Sequence, residues 1–541
     1  DRRVLTSGVF RYGTLPTERD EPVLFYRDGR TASVAVHQTT SPEALVLSTN
    51  GKPDAALSLR WIRAQTSPPG DIRPVVVGDE ATQSLLALVP LAFSPLARTA
   101  AQIGHGSGLT GHLLLASPHL ERFVTVEIEP EMIRASESFY PANARTFEDD
   151  RSTFVIDDAK AYFASRPERF DLIVSEPSNP WVSGISSLFT LEFYERVRHY
   201  LAPGGIFAQW IHGDEMTDPL MASVLAALHR SFPDYRGIMV GPADLVIVAS
   251  GDGPLPDPDW SVFDLPGARR ALAHIPPFTH RYLDGLLVFD RRTMTPLLEA
   301  WEPVNSDYHP HLDLGAERAR FLEEGAFGYM ALGERRTPLP ALLSGTPRSF
   351  AESWEEPVTG MRPIRALSVS AWLRWARFQP LTTEDIPSEV HGGALQGYLD
   401  FSLQVESGEA PTDWRSFSER TAWVEKSLHA GTSGVADSLF YGRLFEFLRN
   451  TGAPLEARAA ADFLFGVAVW EHERADRAAA ILLEARERGE DWIPPDMLLE
   501  GTVLAKLALG DGEGARAVLD AVGNPWRGNS SACIRPSRWY S

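Results

Sequence analysis

The chain has 541 residues, of which 44% are hydrophobic and 23% are charged. This length exceeds what one hydrophobic core usually holds, and the composition is that of a globular protein, which argues against disorder over most of the chain. Lys plus Arg is 51 and Asp plus Glu is 72, a formal net charge of −21, so a surface for nucleic acid or anionic lipid is not expected. The single cysteine, Cys533, excludes a disulfide framework and a cysteine-based zinc site within one chain.

Membrane-spanning segments are not predicted within the chain. The longest apolar run, Leu85 to Ala97, contains two prolines and falls short of the roughly 18 residues that a spanning helix needs. The sequence starts at Asp1 rather than at a methionine, so we expect a processed product or a piece of a longer chain. Membrane attachment through a segment upstream of Asp1 therefore stays open.

The first 78 residues predict a small N-terminal domain of β-hairpins. Strand-forming runs flank Asp28-Gly29, and another leads into Asn50-Gly51. These dipeptides are the strongest short-range hairpin signals, because both residue types tolerate positive φ.

Strands and helices alternate from about residue 99 to residue 250. The predicted strands are Phe123–Ile128, Thr153–Ile156, Phe170–Ser175 and Gly205–Trp210, with helical stretches between them. This alternation predicts a parallel sheet with helices on both faces. The last two runs, Arg236–Val240 and Asp244–Ala249, are separated by a short Gly-Pro turn and predict an antiparallel edge hairpin. We therefore predict an α/β domain with a methyltransferase-type Rossmann fold over residues 79–255.

The remaining chain divides into a Pro-rich, mixed extension over residues 256–345 and an α-helical domain over residues 346–541. Within the helical domain, Ala479–Ala485 resembles Ala515–Ala521, 36 residues later. That offset is close to the tetratricopeptide period of about 34 residues, although Ala/Leu-rich helices also resemble one another by composition. With either explanation, we expect a helical, repeat-like module that can bind a protein partner.

A glycine-rich run and an acidic residue predict a nucleoside site. Gly104, Gly106 and Gly108 lie at a predicted strand-to-helix turn, where glycines let the backbone approach a ligand and leave helix N–H groups free. Glu127 lies 19 residues after Gly108, at the end of the next strand. An acidic residue at this spacing can accept hydrogen bonds from both ribose hydroxyls. The alternatives are a flexible loop and a solvated strand end.

Acidic residues also end the next two strands. Asp158, followed by Ala159, ends the third strand, where a carboxylate can accept the adenine amino group or cap the following helix. Glu176 follows the fourth strand, where open α/β sheets place reacting groups. Pro177 and Pro180 stiffen this loop and can direct Glu176 into the cleft.

In this order the motifs resemble those of the spermidine synthase family, the polyamine aminopropyltransferases, and most of all the branch fused behind membrane-spanning segments. The resemblance is carried by Asp-Glu-Ala-Thr-Gln from Asp79, the glycine loop, Val-Glu-Ile-Glu-Pro, Ile-Asp-Asp-Ala, Ser-Glu-Pro-Ser-Asn-Pro-Trp-Val-Ser-Gly and Leu-Ala-Pro-Gly-Gly-Ile-Phe-Ala-Gln-Trp. It covers residues 79–250 and, patchily, the segments on either side. The helical end lies outside it.

The resemblance implies transfer of an aminopropyl group from decarboxylated S-adenosylmethionine to a small-molecule amine, without a metal. It implies that Glu176 is the base and that Glu127 holds the ribose. The remaining roles that it implies are donor binding by Gly104, Gly106, Ser107, Gly108, Asp158 and Ala159, and substrate binding by Gln83 and Asn179.

The sequence also departs from the family pattern at acidic positions. Ser107 stands where the family usually has an Asp that suits the donor ammonium, and Asn179 stands where it has a second Asp. Gln83, Ser84 and Leu85 replace Tyr-His-Glu. Two alternatives therefore stay open: a methyltransferase that uses intact S-adenosylmethionine, and a non-catalytic scaffold or accessory subunit of a membrane-associated complex. An active enzyme would be expected on the cytoplasmic side.

Overall fold

The computed structural model describes residues 22–40, 43–66, 79–177, 184–240, 243–272, 283, 286–322, 324–326, 329, 401, 404–405, 407–422, 438–469 and 475–521. The predicted substrate-binding residue Asn179 lies outside these ranges. The chain forms two compact units, one over residues 1–335 and 359–392, the other over residues 336–358 and 393–541. No helix in the described ranges has both the length and the apolar character needed to cross a membrane.

The first unit begins with a four-stranded antiparallel sheet. Its strands follow chain order: β1 (Val23–Asp28), β2 (Ser33–Thr40), β3 (Glu43–Thr49) and β4 (Lys52–Ser58). Asn50 and Gly51 form the turn between β3 and β4 with φ values of 51° and 79°. A two-residue type I′ hairpin needs positive φ at both positions, so the hairpin predicted at Asn50-Gly51 is confirmed.

The main sheet has eight strands in the order β12-β10-β11-β9-β8-β5-β6-β7. Their bounds are β5 (Thr99–Ile103), β6 (Arg122–Glu127), β7 (Ser152–Ile156), β8 (Phe170–Ser175), β9 (Leu201–His212), β10 (Asp234–Met239), β11 (Asp244–Ser250) and β12 (Leu287–Asp290). The five strands from β9 to β7 are parallel, and β11, β10 and β12 are antiparallel. The predicted methyltransferase-type arrangement is confirmed.

Helices cover the main sheet and carry the residues around its strand ends. They are α1 (Leu59–Ala64), α2 (Asp79–Phe93), α3 (Leu109–Leu114), α4 (Pro130–Ser136), α5 (Ala144–Glu148), α6 (Ala159–Ser165), α7 (Leu191–His199), α8 (Asp218–Ser231), α9 (Pro266–Ala271), α10 (Arg291–Leu298) and α11 (His311–Phe321). Every residue of α2 after Asp79 is buried. One core cluster joins α2 to the small sheet and to β5, β8, β9 and β11. The first turn of α2 is therefore held firmly at the cleft.

The outermost strand, β12, comes from the extension that the sequence left unassigned. It pairs with β10, where a Cβ on Gly237 would collide with the ring of Phe289. The pairing thus depends on a glycine about fifty residues away in sequence. A run of four residues is at the short limit for a strand pattern, so this strand was not predicted.

In the second unit, the last five helices follow one another along the chain. They are α12 (Ser438–Asn450), α13 (Leu455–Val469), α14 (Ala475–Gly489), α15 (Pro495–Ala508) and α16 (Gly512–Ala521). A core that includes Phe463 and Leu482 holds α13, α14 and α15 together. The predicted helical region is confirmed. The two similar segments fall in α14 and α16, and their relation as tetratricopeptide-like repeats stays a prediction.

Candidate functional site

The glycine loop between β5 and α3 adopts backbone conformations that suit glycine. Gly104, Gly106 and Gly108 have φ values of 87°, 53° and 84°. A Cβ on Gly104 would lie 2.5 Å from the backbone oxygen of Glu176. Glycine is therefore needed at position 104 for its positive φ and also for the close approach of the chain that follows β8.

Glu127 ends β6 directly beside this loop. Its side chain is buried, and its two oxygens accept hydrogen bonds from the backbone N–H groups of His105 at 3.0 Å and Glu129 at 2.9 Å. Burial raises the pKa of Glu127 to about 7, although these backbone hydrogen bonds favour the charged form. The backbone N–H of Ile128 also acts on this carboxylate, which has about four acceptor sites and so keeps some acceptor capacity. Glu127 is thus fixed in a position from which it can accept ribose hydroxyls.

Glu129, two residues later, joins the same strand end to the small sheet. One of its oxygens accepts hydrogen bonds from the backbone N–H of Thr31 at 2.7 Å and from the Thr31 hydroxyl at 2.9 Å. A Cβ on Gly29 would collide with the Glu129 carboxylate. The β1–β2 turn therefore packs against the backbone segment that presents Glu127.

Asp158 and Ala159 lie at the end of β7, next to β6. The Oδ1 atom of Asp158 accepts a hydrogen bond from Ala161 N at 2.9 Å, so this side chain caps α6. Ala159 is the first residue of α6 and is buried. The cap accounts for one carboxylate oxygen, and the adenine contact stays a prediction.

Glu176 follows β8 on the other side of the glycine loop. Its backbone N–H donates to Ile103 O at 2.9 Å, and its Oε2 accepts from Gln102 Nε2 at 3.2 Å. Burial raises the pKa of Glu176 to about 8, opposed by hydrogen bonds from Thr110 and Gln102 and supported by repulsion from Asp79. An approaching ammonium would lower this pKa, since an opposite charge favours the carboxylate. A carboxyl group with this pKa can gain or lose a proton near neutral pH.

Ser107 and Gln83 meet on the α2 side of the loop. The buried Ser107 hydroxyl donates to Gln83 Oε1, while Ser107 Oγ accepts from Leu109 N at 3.3 Å. The Thr110 hydroxyl lies 3.4 Å from the backbone oxygen of Gln83 and also hydrogen-bonds Glu176. The structure thus brings Gln83, Ser107 and Glu176 together.

Two further carboxylates border the group formed by Gln83, Ser107 and Glu176. The sequence alone indicated no role for either of them. Asp244, at the start of β11, accepts hydrogen bonds from the Thr82 hydroxyl at 2.8 Å and from Trp210 Nε1 at 3.0 Å. Burial raises its pKa. Burial and repulsion by Asp244 raise the pKa of Asp79, at the start of α2, to about 7. Asp79 opens the motif that carried the resemblance and could have been found there, whereas Asp244 has no comparable signal.

Comparison with known proteins supports this description. Residues 79–240 match the family model of the spermine/spermidine synthase domain. A polyamine aminopropyltransferase of Nitrosomonas europaea is 34% identical over 140 residues, 26% of this chain and 43% of that protein. Putrescine N-methyltransferase 2 of Nicotiana attenuata is 31% identical over 134 residues, 24% of this chain and 36% of that protein.

The chain spans less than half the length of these two relatives. A solved structure of spermidine synthase from Thermotoga maritima aligns with 57% of this chain and 87% of that chain, at a TM-score of 0.36 and 16% identity. Fusion to membrane segments, expected from the resemblance, stays a prediction. Residues 79–240 of this chain are therefore similar to a spermine/spermidine synthase domain.

Proposed function

We propose that this domain binds an adenosyl sulfonium donor and transfers an aminopropyl group from decarboxylated S-adenosylmethionine to a small-molecule amine. One observation carries the proposal: Glu127 and Glu176 border the same glycine loop from opposite sides. Glu127 accepts the N–H of His105, and the Glu176 backbone oxygen packs against Gly104. A carboxylate for the ribose and a carboxylate for the amine are thus available next to one donor site. The family match supports the same chemistry.

The proposed reaction requires little covalent chemistry from the protein itself. The amine nitrogen attacks the propyl carbon bonded to sulfur, the carbon–sulfur bond breaks with its electron pair going to sulfur, and methylthioadenosine leaves. The proton lost by nitrogen passes to a Glu176 oxygen. The sulfonium is already a good leaving group, so the protein contributes mainly by holding the amine in line and by removing its proton.

Glu127→Ala is expected to weaken methylthioadenosine binding by about a hundredfold or more, because two hydrogen bonds to a charged acceptor are lost. Calorimetric titration with decarboxylated S-adenosylmethionine, intact S-adenosylmethionine and methylthioadenosine measures this loss. Glu121→Ala, at an exposed glutamate paired with Arg98, is the matched control and should bind as wild type. Wild-type protein that binds none of the three ligands would exclude the proposal and favour the non-catalytic scaffold.

The pH dependence of kcat/KM for the amine gives a second test. A carboxyl group with a pKa of about 8 is mostly protonated at pH 6 and cannot accept a proton there. The rate constant should therefore rise about tenfold per pH unit up to about pH 8 and then level off. A profile of kcat/KM between pH 6 and pH 9 measures this. A flat profile would contradict the role of Glu176 as the base.

Methyl transfer from intact S-adenosylmethionine is the second candidate. The observation that favours it is the Ser107–Gln83 pair, which is neutral where a bare donor ammonium would need a carboxylate. The Nicotiana relative is named as a methyltransferase. The same titration separates the two candidates, because methyl transfer requires that the intact donor binds more tightly than the decarboxylated one.

A further inference from the structure

Three carboxylates lie around the first turn of α2. Asp79 is close enough to both Asp244 and Glu176 for mutual repulsion to raise pKa values. Asp244 is held by two neutral donors, Thr82 and Trp210. Among residues in the described ranges, no lysine or arginine forms an ion pair with any of the three carboxylates. Desolvated carboxylates without a cation are unfavourable, so this space suits a positively charged group.

Gln83 places a second and different requirement on a ligand that binds in this space. It lies four residues after Asp79 on α2, which places both side chains on one face of the helix. Gln83 is only 5% exposed, and its Oε1 is held by the Ser107 hydroxyl. The orientation of the amide follows from Ser107 Oγ, which already accepts from Leu109 N and so has its hydrogen left to donate.

The Nε2 atom of Gln83 is therefore turned away from Ser107, on the face that Asp79 shares. Within the part of the chain that the structure describes, this Nε2 has no hydrogen-bond partner. Gln83 Nε2 is not among the fully buried unpaired atoms of the described residues, so it reaches solvent, where an acceptor atom of a ligand can pair with it. A bare diamine would satisfy the carboxylates and leave this N–H group to water. A ligand with an oxygen acceptor next to its ammonium would satisfy both.

We propose that the space between Asp79, Gln83 and Asp244 binds an α-amino-acid group, with its ammonium on the two carboxylates and its carboxylate on Gln83 Nε2. This inference rests on the proposed function, because it assumes a ligand beside the glycine loop. The group has two sources. It is either the amino-acid tail of intact S-adenosylmethionine, which leads to methyl transfer, or an amino acid that acts as acceptor of an aminopropyl group.

Two ligand pairs that differ by one carboxylate test the proposal. The first pair is intact and decarboxylated S-adenosylmethionine, and the second is L-ornithine and putrescine, titrated into protein saturated with methylthioadenosine. In one of the pairs, the member with the carboxylate is expected to bind about tenfold more tightly or better, as a charge-assisted hydrogen bond provides. The pair that shows the preference identifies the source. Equal or tighter binding of the decarboxylated member in both pairs would overturn the proposal.

Variants at Gln83 assign the preference to its side chain. Gln83→Leu keeps the size and removes the N–H group, so the preference should disappear. Gln83→Glu should reverse the preference, because a negative charge repels the ligand carboxylate. Gln65→Leu is the matched control, since Gln65 hydrogen-bonds the backbone of Trp61 and Ala271. A preference that survives in Gln83→Leu would contradict the assignment.

Failure of the inference can be told apart from failure of the proposed function. Wild-type protein that binds methylthioadenosine but prefers both decarboxylated ligands keeps the function and loses the inference. Wild-type protein that does not bind methylthioadenosine loses both.

Discussion

Glu176→Gln is expected to lower the rate of alkyl transfer by about a hundredfold to ten-thousandfold. Glutamine has nearly the same shape, and its amide oxygen can still accept the hydrogen bond that Gln102 donates at 3.2 Å. It cannot take a proton from the amine. Affinity for methylthioadenosine should stay close to wild type, because the proposed ribose contact is made by Glu127. Release of methylthioadenosine in a single turnover measures the rate directly.

The control for Glu176→Gln is Glu168→Gln, at a partly exposed glutamate that pairs with Arg122 at 2.8 Å. This variant removes a charge of the same kind from the loop before β8 and should leave the rate unchanged. A Glu176→Gln protein that keeps its rate within a few fold would show that another group, or water, accepts the proton. In that case Asp79 would be the next residue to replace.

Gly104→Ala is expected to reduce the free energy of unfolding by about 2–5 kcal/mol. About 1–2 kcal/mol of this comes from an alanine at a φ of 87°. The rest comes from a methyl group 2.5 Å from the backbone oxygen of Glu176, which cannot move away as a side chain could. Because the displaced segment carries the proposed base, we expect transfer activity to fall as well. Denaturant unfolding followed by circular dichroism measures the stability.

Gly204→Ala separates the two contributions at Gly104. Gly204 also has a positive φ, 73°, and its added Cβ would meet no atom within 4 Å. It should therefore show the conformational cost alone, about 1–2 kcal/mol, and keep its activity. Equal losses of stability in the two variants would mean that the loop adapts to the added methyl group and that close packing at Gly104 is not required.

Local signals in the sequence were sufficient for much of the fold. Asn50-Gly51 specified its turn because the conformational preference belongs to those two residues. The positions of Glu127 and Glu176 followed from a general property of open α/β sheets, in which polar groups after parallel strands meet at one edge. Asp158 could be recognised as a helix cap for a similar reason, since its partner Ala161 is three residues away.

The acidic side of the site could not be predicted in the same way. The Asp244 side chain is held by hydrogen bonds from Thr82, which is 162 residues away in sequence, and from Trp210, which is 34 residues away. Neither spacing has a periodic signature. The sequence shows that acidic residues are missing at positions where the resembled family usually has them. Only the fold shows that Asp79 and Asp244 supply carboxylates close to Gln83. A residue-by-residue comparison with a family pattern therefore underestimates the negative charge of this cleft.

The complete burial of α2 limits how this protein can evolve new specificity. Every residue after Asp79 packs in the core, so most substitutions along the helix would cost stability before they changed ligand preference. Asp79 and Gln83, near the start of the helix, border the proposed site. The backbone at Asp244 is likewise fixed by its pairing with β9, so only the side chain at this position can change without displacing the sheet. Variation in ligand preference among close relatives of this chain should therefore concentrate in the side chains at positions 79, 83 and 244, while the rest of α2 stays nearly constant.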